Sequence, residues 1–156
     1  MSSEVMRKES SSVRSIVAGA AFTALTAVGA YISIPIGPVP IVLQNFFVLL
    51  AGMLLGRLRG TSSIAVYLLI GAIGLPVFAG GTGGIAHFFG PTGGFLIGFL
   101  PAAYLAGVLP RIGRARFGKK SAIAFDIFAT AAAAASVYVV GVPWLKAVTE
   151  MSWSKS

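Results

Sequence analysis

Five apolar runs, separated by short segments rich in proline, glycine or arginine, dominate the pattern of hydrophobic and polar positions along the chain. Apolar helices of about 17 to 25 residues are long enough to cross the hydrocarbon core of a bilayer. The second run is shorter, which indicates a helix that is tilted or that begins within the membrane. The pattern predicts an all-α polytopic membrane protein with five transmembrane helices at about 13–34, 41–55, 62–78, 94–109 and 122–142.

The segments between these runs set the predicted turns. Pro35, Pro38 and Pro40 cannot continue a helix, so they predict a turn outside the hydrocarbon after the first run. A glycine-rich segment at 78–94 follows the third run, and a basic loop at 110–120 separates the fourth run from the fifth. The polar tail that follows the last run is too short to span a membrane.

Composition supports a membrane protein. Apolar residues make up 56% of the chain, charged residues only 10%, and the mean hydropathy is +0.90. The alternative, a soluble domain with an unusually rich core, would have to hide apolar runs of bilayer-spanning length. The run at 16–36 is longer than a signal-peptide core and is interpreted as a retained span. Residues 1–12 are predicted to be a mobile cytoplasmic tail, and 13–156 the membrane-embedded domain.

Positive charge is concentrated on one side of the predicted helices. The loops around Pro38 and Gly83 carry no lysine or arginine, so the positive-inside rule predicts a cytoplasmic N-terminus and an outward-facing glycine-rich segment. This distribution also explains the net charge of +8 without a nucleic-acid partner. The basic residues on the predicted cytoplasmic side are Arg7, Lys8, Arg14, Arg57, Arg59, Arg111, Arg114, Arg116, Lys119 and Lys120.

Few residues could support catalysis. Asp126 is the only aspartate, His87 is the only histidine, and cysteine is absent, so the sequence indicates neither a carboxylate pair, a triad, a metal cluster nor a disulfide. The GGTGG stretch lacks the Lys-Ser/Thr that follows in a phosphate-binding loop, and it lies on the predicted outer side. The sequence predicts no enzyme activity and no cofactor.

The glycine-rich segment is the strongest candidate for ligand binding. Its glycines could present bare N–H and C=O groups to a small polar ligand, with hydroxyl and imidazole groups added by Thr82 and His87. The alternative is a flexible outer loop in which glycine serves packing and turns, and for His87 alone an interfacial residue without a ligand is favoured. Gln44 and Asn45 place amides in an apolar run, where they either contact a ligand or bond neighbouring helices. Gln44, closer to the outer turn, is the favoured ligand contact.

The first helix carries small residues at helical spacing. Ala20 and Ala24 form one such pair, and Gly19, Thr23 and Ala27 form another. Small faces allow helices to approach closely in lipid. They predict either internal packing or docking of a partner protein, and the alanine-rich stretch at 129–135 has the same two interpretations.

Four ordered segments resemble the BioY family, the biotin-binding substrate subunits of energy-coupling factor (ECF) transporters. They are AVGAYISIPIGPVPIVLQ at 27–44, LLIGAIGLPVFAGGTGG at 68–84, FGPTGGFLIGF at 89–99 and GVPWL at 141–145. The resemblance covers most of the chain from about residue 15 onward. It implies a six-helix bundle that captures biotin from outside and works with a transmembrane coupling protein and two cytoplasmic ATPase subunits.

The resemblance also implies roles for single residues. It assigns the docking of the coupling protein to Ala20 and Ala24, and it predicts a biotin site at one end of the bundle. Separately from the resemblance, Lys146 and Lys155 are the candidate cations for the biotin carboxylate among the residues on the predicted outer side. The predicted biotin-contacting residues are Gln44, Phe78, Gly80, Gly81, Thr82, Gly83, Gly84, His87, Gly90 and Thr92.

The family normally continues into a sixth helix with a PGD-x-x-K-like motif, which lies beyond Ser156 in this pattern. We therefore expect a bundle that lacks its final helix. Two alternatives to biotin capture follow: a substrate subunit for another small vitamin-like ligand, or a truncated remnant without transport function.

Overall fold

The computed structural model describes residues 3–34 and 41–149, and within them the side chains outside 3–10, 41 and 114–122. Pro35, Pro38 and Pro40 of the predicted turn, and Lys155, lie outside the described residues. The elements are α1 (Ser3–Tyr31), β1 (Ser33–Ile34), β2 (Ile41–Val42), α2 (Gln44–Leu55), α3 (Arg57–Ile73), α4 (Ala86–Phe89) and α5 (Gly93–Thr149).

The longest helix, α5, consists of two antiparallel arms. A β-carbon added to Gly98 would lie 3.1 Å from the Cα atom of Val137, and Gly94 packs against Trp144 in the same antiparallel register. The first arm is Gly93–Gly113 and the second arm is Ile123–Thr149. The chain therefore reverses between these two arms. The prediction of a loop at 110–120 is wrong, because the backbone of this basic segment is helical. Its arginine, lysine and alanine residues favour helix.

The predicted membrane architecture is confirmed. By length and apolar composition, three described segments could cross a membrane, namely Ser11–Tyr31 and the two arms of α5, and Gln44–Leu55 is a shorter apolar helix. Large apolar side chains are turned outward, for example Ile73 at 80% exposed and Val139 at 71%. Such a surface is compatible with lipid and would be costly in water. The protein is therefore a membrane-embedded helical bundle.

Helix boundaries differ from the predicted ones at several places. The first helix begins at Ser3 instead of residue 13 and ends at Tyr31, after which β1 pairs antiparallel with β2, with Ser33 opposite Val42. This short ribbon was not predicted. The third helix ends earlier than predicted, because Gly74 adopts a left-handed conformation with φ +118° and its N–H caps the helix at Gly71 O.

Close approach of small residues builds the centre of the bundle. Helix α2 packs against α1, α3 and α5. A β-carbon on Gly60 of α3 would lie 2.6 Å from the carbonyl oxygen of Ala51, and Gly52 packs directly on Ala103 of the first arm. Without side chains at these crossings, the backbones approach closely enough to gain packing energy in a solvent that supplies no hydrophobic driving force. The end of α1, the start of α2, the end of α3 and both ends of α5, where Gly94 meets Trp144, consequently lie at one end of the bundle.

Candidate ligand-binding site

A cavity of about 390 Å³ opens at this end of the bundle, between the β-ribbon, the first turns of α2 and the second arm of α5. Its volume falls in the range of small-molecule sites, and its wall is mainly apolar, as in most such sites. The polar side chains in the wall belong to Asn45 and Tyr138. The lining residues are Ile32, Ile34, Val42, Leu43, Asn45, Phe46, Leu49, Ala134, Val137 and Tyr138.

Asn45 carries the strongest indication of a ligand. Its Oδ1 atom is buried and, among the described residues, has no hydrogen-bond partner. Buried acceptors in native proteins nearly always have a partner, and an unsatisfied one costs about 1 to 3 kcal/mol. A cavity-lining side chain with such an acceptor is suited to a ligand that brings its own N–H or O–H donor.

Gln44, the amide favoured from the sequence, is not among the residues that line this cavity. It is 1% exposed, and a β-carbon on Gly29 of α1 would lie 3.0 Å from its backbone nitrogen. Its side chain approaches the hydroxyl of Tyr67 on α3. Within the described part of the chain, its Nε2 atom has no hydrogen bond of regular geometry. The two adjacent amides therefore face different surroundings, because consecutive residues of a helix point about 100° apart.

The glycine-rich segment forms a tight turn that bonds mainly to itself. The N–H of Phe78 donates to Thr82 O at 2.9 Å, and the N–H of Gly81 donates to Phe78 O at 3.0 Å. The Thr82 hydroxyl donates to Ala79 O at 3.0 Å. Gly80 and Gly81 have φ of +74° and +70°, a conformation that side chains rarely adopt. Several N–H and O–H donors that were predicted to bind a ligand therefore form hydrogen bonds within the turn.

Phe78 anchors this turn to the core. Its ring is 2% exposed and makes edge-to-face contacts with Tyr67 at 5.7 Å, His87 at 5.9 Å and Phe88 at 5.8 Å between centroids. The ring occupies the space where Gly71 would otherwise carry a side chain. Phe78 is therefore a core residue against which the half-buried His87 packs, and neither lines the cavity described above.

Two tyrosine hydroxyls donate hydrogen bonds to the segment that leads into the turn. Tyr31 at the end of α1 donates to Pro76 O, and Tyr67 donates to Val77 O at 2.9 Å. A β-carbon on Gly81 would lie 3.2 Å from the Tyr31 ring. Because Ile32, the next residue of the chain, lines the cavity, the turn and the cavity are neighbours at the same end of the bundle. A tyrosine in an apolar helix usually requires a partner for its hydroxyl, which is a signal that the sequence contained.

The remaining glycines of the predicted site serve packing between the ends of α5. Trp144 donates its indole N–H to Gly90 O at 3.0 Å, and Gly94 lies against the Trp144 side chain. Thr92 O accepts N–H groups of the first turn of α5 at 3.1 Å. The GPTGG and GVPWL segments therefore meet in space. Gly83 and Gly84 are fixed in a similar way, Gly83 against Leu75 O and Gly84 by a 2.7 Å bond from its N–H to Gly71 O.

The two small-residue faces of α1 have different surroundings. Thr23 donates to Ser63 O at 2.9 Å, and the Ser63 hydroxyl donates to Gly19 O at 2.7 Å, so this face packs on α3. Ala20 and Ala24 are exposed on the other side of the helix. One face thus serves internal packing, and the other is available to lipid or to a partner.

Comparison with known proteins identifies similar sequences and one similar structure. The sequence model of the BioY family matches residues 4–156. The "Probable biotin transporter BioY" of Pyrococcus horikoshii is 58% identical over 89 residues, which cover 57% of this chain and 55% of that protein. The "Biotin transporter BioY" of Thermotoga maritima is 44% identical over 130 residues, which cover 83% of this chain and 73% of that protein.

A more distant relative and a crystal structure extend the match over nearly the whole chain. The "Biotin transporter BioY" of Rhizobium etli is 35% identical over 150 residues, which cover 93% of this chain and 80% of that protein. The crystal structure of the S-component for biotin from an ECF-type ABC transporter superposes with a TM-score of 0.80 at 31% identity. That superposition covers 99% of this chain and 80% of the other.

Proposed function

Because the chain belongs to the BioY family over residues 4–156, we propose that it captures biotin from the outer side of the membrane for uptake, as the substrate-specific subunit of an ECF-type transporter. One observation carries this proposal beyond the family: a cavity of about 390 Å³ is lined mainly by apolar side chains and by Asn45, whose buried Oδ1 atom has no hydrogen-bond partner among the described residues. Biotin combines an apolar bicyclic ring with a ureido group that has two N–H donors. These two properties match the two kinds of surface in the cavity.

In the proposed complex, the ring system packs against Phe46, Leu49 and Tyr138, and a ureido N–H donates to Asn45 Oδ1. The burial of the ring supplies most of the affinity, and the amide fixes its orientation. Lys146, in the last turns of α5, is the proposed cation for the carboxylate. Its position at the cavity end of the bundle supports this role.

The residues predicted from the sequence take a supporting role in this proposal. We place the turn that contains Gly80, Gly81, Thr82, Gly83 and Gly84 at the outer rim of the biotin site. Its contact with the end of α1, one residue from the cavity wall, supports that position. Gln44, Phe78, His87, Gly90 and Thr92 would then support the rim and the wall from behind.

Orientation and partners follow from the same proposal. The N-terminus and the basic end of the bundle lie in the cytoplasm of a prokaryotic cell, and the cavity faces outward across the cell membrane. The exposed Ala20 and Ala24 face of α1 docks a transmembrane coupling protein, and two ATPase subunits supply the hydrolysis that this chain lacks. The small side chains on this exposed face allow a partner helix to approach closely, which supports the docking role.

Equilibrium binding of labelled biotin to the purified full chain in lipid nanodiscs tests the proposal. We expect saturable binding at nanomolar to micromolar biotin, with little competition from other vitamins. Leu49→Trp should abolish it by filling the cavity, whereas the matched variant Leu69→Trp should bind normally because Leu69 is 62% exposed on the outer surface of α3. Absence of saturable binding by the unmodified chain, or equal binding by both tryptophan variants, would overturn biotin capture in this cavity.

A further inference from the structure

The end of the bundle opposite the cavity brings together arginines that are far apart in the sequence. Gly56 joins α2 to α3, and a β-carbon on it would lie 2.5 Å from Arg111 Nη2 of the first arm. Gly107, one turn earlier in that arm, packs on the backbone of Arg57. The guanidinium group of Arg111 therefore lies beside the start of α3, where Arg57 and Arg59 are both exposed.

Exposed apolar side chains lie close in the sequence to these arginines. Leu54 is 68% exposed, Leu58 is 66% exposed and Ile112 is 52% exposed. Each is within a few residues of Arg57 or Arg111 in the chain. This end of the protein thus combines an apolar surface suited to acyl chains with fixed positive charge at its edge.

We propose that this region, which we call the arginine corner (Arg57, Arg59 and Arg111 with Leu54, Leu58 and Ile112), binds an anionic phospholipid. The guanidinium groups hold the phosphate of the headgroup, and the two leucines and the isoleucine contact its acyl chains.

Charge complementarity and chemistry favour this occupant. Arginine recognises phosphate through paired N–H donors, and its guanidinium is more weakly hydrated than an ammonium group. Basic pockets between helices at the membrane surface are suited to anionic headgroups. A free phosphate would use only the arginines and would leave the exposed leucines without a role. An acidic partner protein would likewise not require an apolar surface at membrane depth.

Lipid binding can be measured by native mass spectrometry of the detergent-solubilised full chain, titrated with phosphatidylglycerol or with phosphatidylcholine of the same acyl composition. We expect phosphatidylglycerol to be retained more tightly. The double variant R57Q/R111Q should lower the phosphatidylglycerol affinity by roughly fivefold per arginine, to the level of phosphatidylcholine. If the double variant does not fold, Arg59→Gln alone, at an exposed position, should lower the phosphatidylglycerol affinity by roughly fivefold.

A charge-matched control separates a site from general electrostatic attraction. R7Q/K8Q removes the same charge from the start of α1 and should keep the phosphatidylglycerol preference. Three results would overturn the proposal: no preference for phosphatidylglycerol, an equal loss in R7Q/K8Q, or full displacement of the lipid by inorganic phosphate. None of these measurements depends on biotin, so a failure of the proposed transport function would be seen separately.

Discussion

Replacing Asn45 by leucine should move stability and ligand affinity in opposite directions. In the ligand-free protein the buried Oδ1 atom has no partner among the described residues, and such an atom costs about 1 to 3 kcal/mol. Leucine has the same number and branching of side-chain heavy atoms and no polar atom. We therefore expect the unfolding free energy of the ligand-free protein to rise by up to about 1 to 3 kcal/mol.

The same substitution should weaken biotin binding. A ureido N–H that faced leucine would be buried without an acceptor, at a cost of about 1 to 3 kcal/mol, which corresponds to an affinity loss of roughly 5-fold to 150-fold. The affinity would be measured by equilibrium binding of labelled biotin, and the stability by unfolding of the ligand-free protein in the same detergent.

Ser63→Ala is the matched control, because it also removes a buried polar group but at the contact between α1 and α3. Its hydroxyl donates to Gly19 O at 2.7 Å, so its loss should lower stability and leave the biotin affinity unchanged. If Asn45→Leu lowers the stability of the ligand-free protein, the amide is satisfied without a ligand and the reasoning is wrong. Unchanged affinity in Asn45→Leu would show that biotin does not bind in this cavity.

Three further predictions concern packing, docking and the anchored turn. Gly71→Ala should destabilise the protein by about 1 to 3 kcal/mol, because the buried ring of Phe78 occupies the space of the new methyl group. Gly19→Ala is the control for thermal unfolding: nothing lies within 4 Å of the added carbon, so this change should be neutral or stabilising. Ala20→Trp with Ala24→Trp should abolish co-purification with a coupling protein and leave biotin binding intact; retained co-purification would assign these alanines to lipid contact. Tyr67→Phe should lower the unfolding free energy by about 1 kcal/mol through loss of its 2.9 Å bond to the turn, and an unchanged value would show that water satisfies that carbonyl.

Much of the fold could be predicted from the sequence because the bilayer imposes a simple rule. Every backbone group in hydrocarbon must be satisfied within its own segment, so long apolar runs form helices, and proline or glycine marks their ends. This rule predicted five helices, and the absence of lysine and arginine predicted that the glycine-rich segment and the proline-rich turn lie on the same side. It could not predict that the 110–120 segment is helical, because the reversal of α5 depends on contacts between arms such as that of Gly98 with Val137.

The candidate site was only partly predictable, for a different physical reason. The sequence identified two adjacent amides in an apolar run and a glycine-rich segment, but not the directions in which they point. Adjacent residues on a helix are about 100° apart, so the rotation of α2 about its axis decides which amide faces the cavity. That rotation is set by the close approach of Gly29 to Gln44 and of Gly52 to Ala103. The contacts bury Gln44 and leave Asn45 at the cavity.

By itself, the sequence determined the membrane class, the five apolar segments, the concentration of positive charge on one side of them and the family resemblance, since all four depend on residue type and order along the chain. Only the tertiary structure decided that most of the glycine-rich segment bonds to itself, that Phe78 is an anchor, and that Arg111 joins the start of α3. These features depend on distances between helices. In a bilayer such distances are set by which small residues meet at each crossing, and a linear pattern of apolar positions does not contain that information.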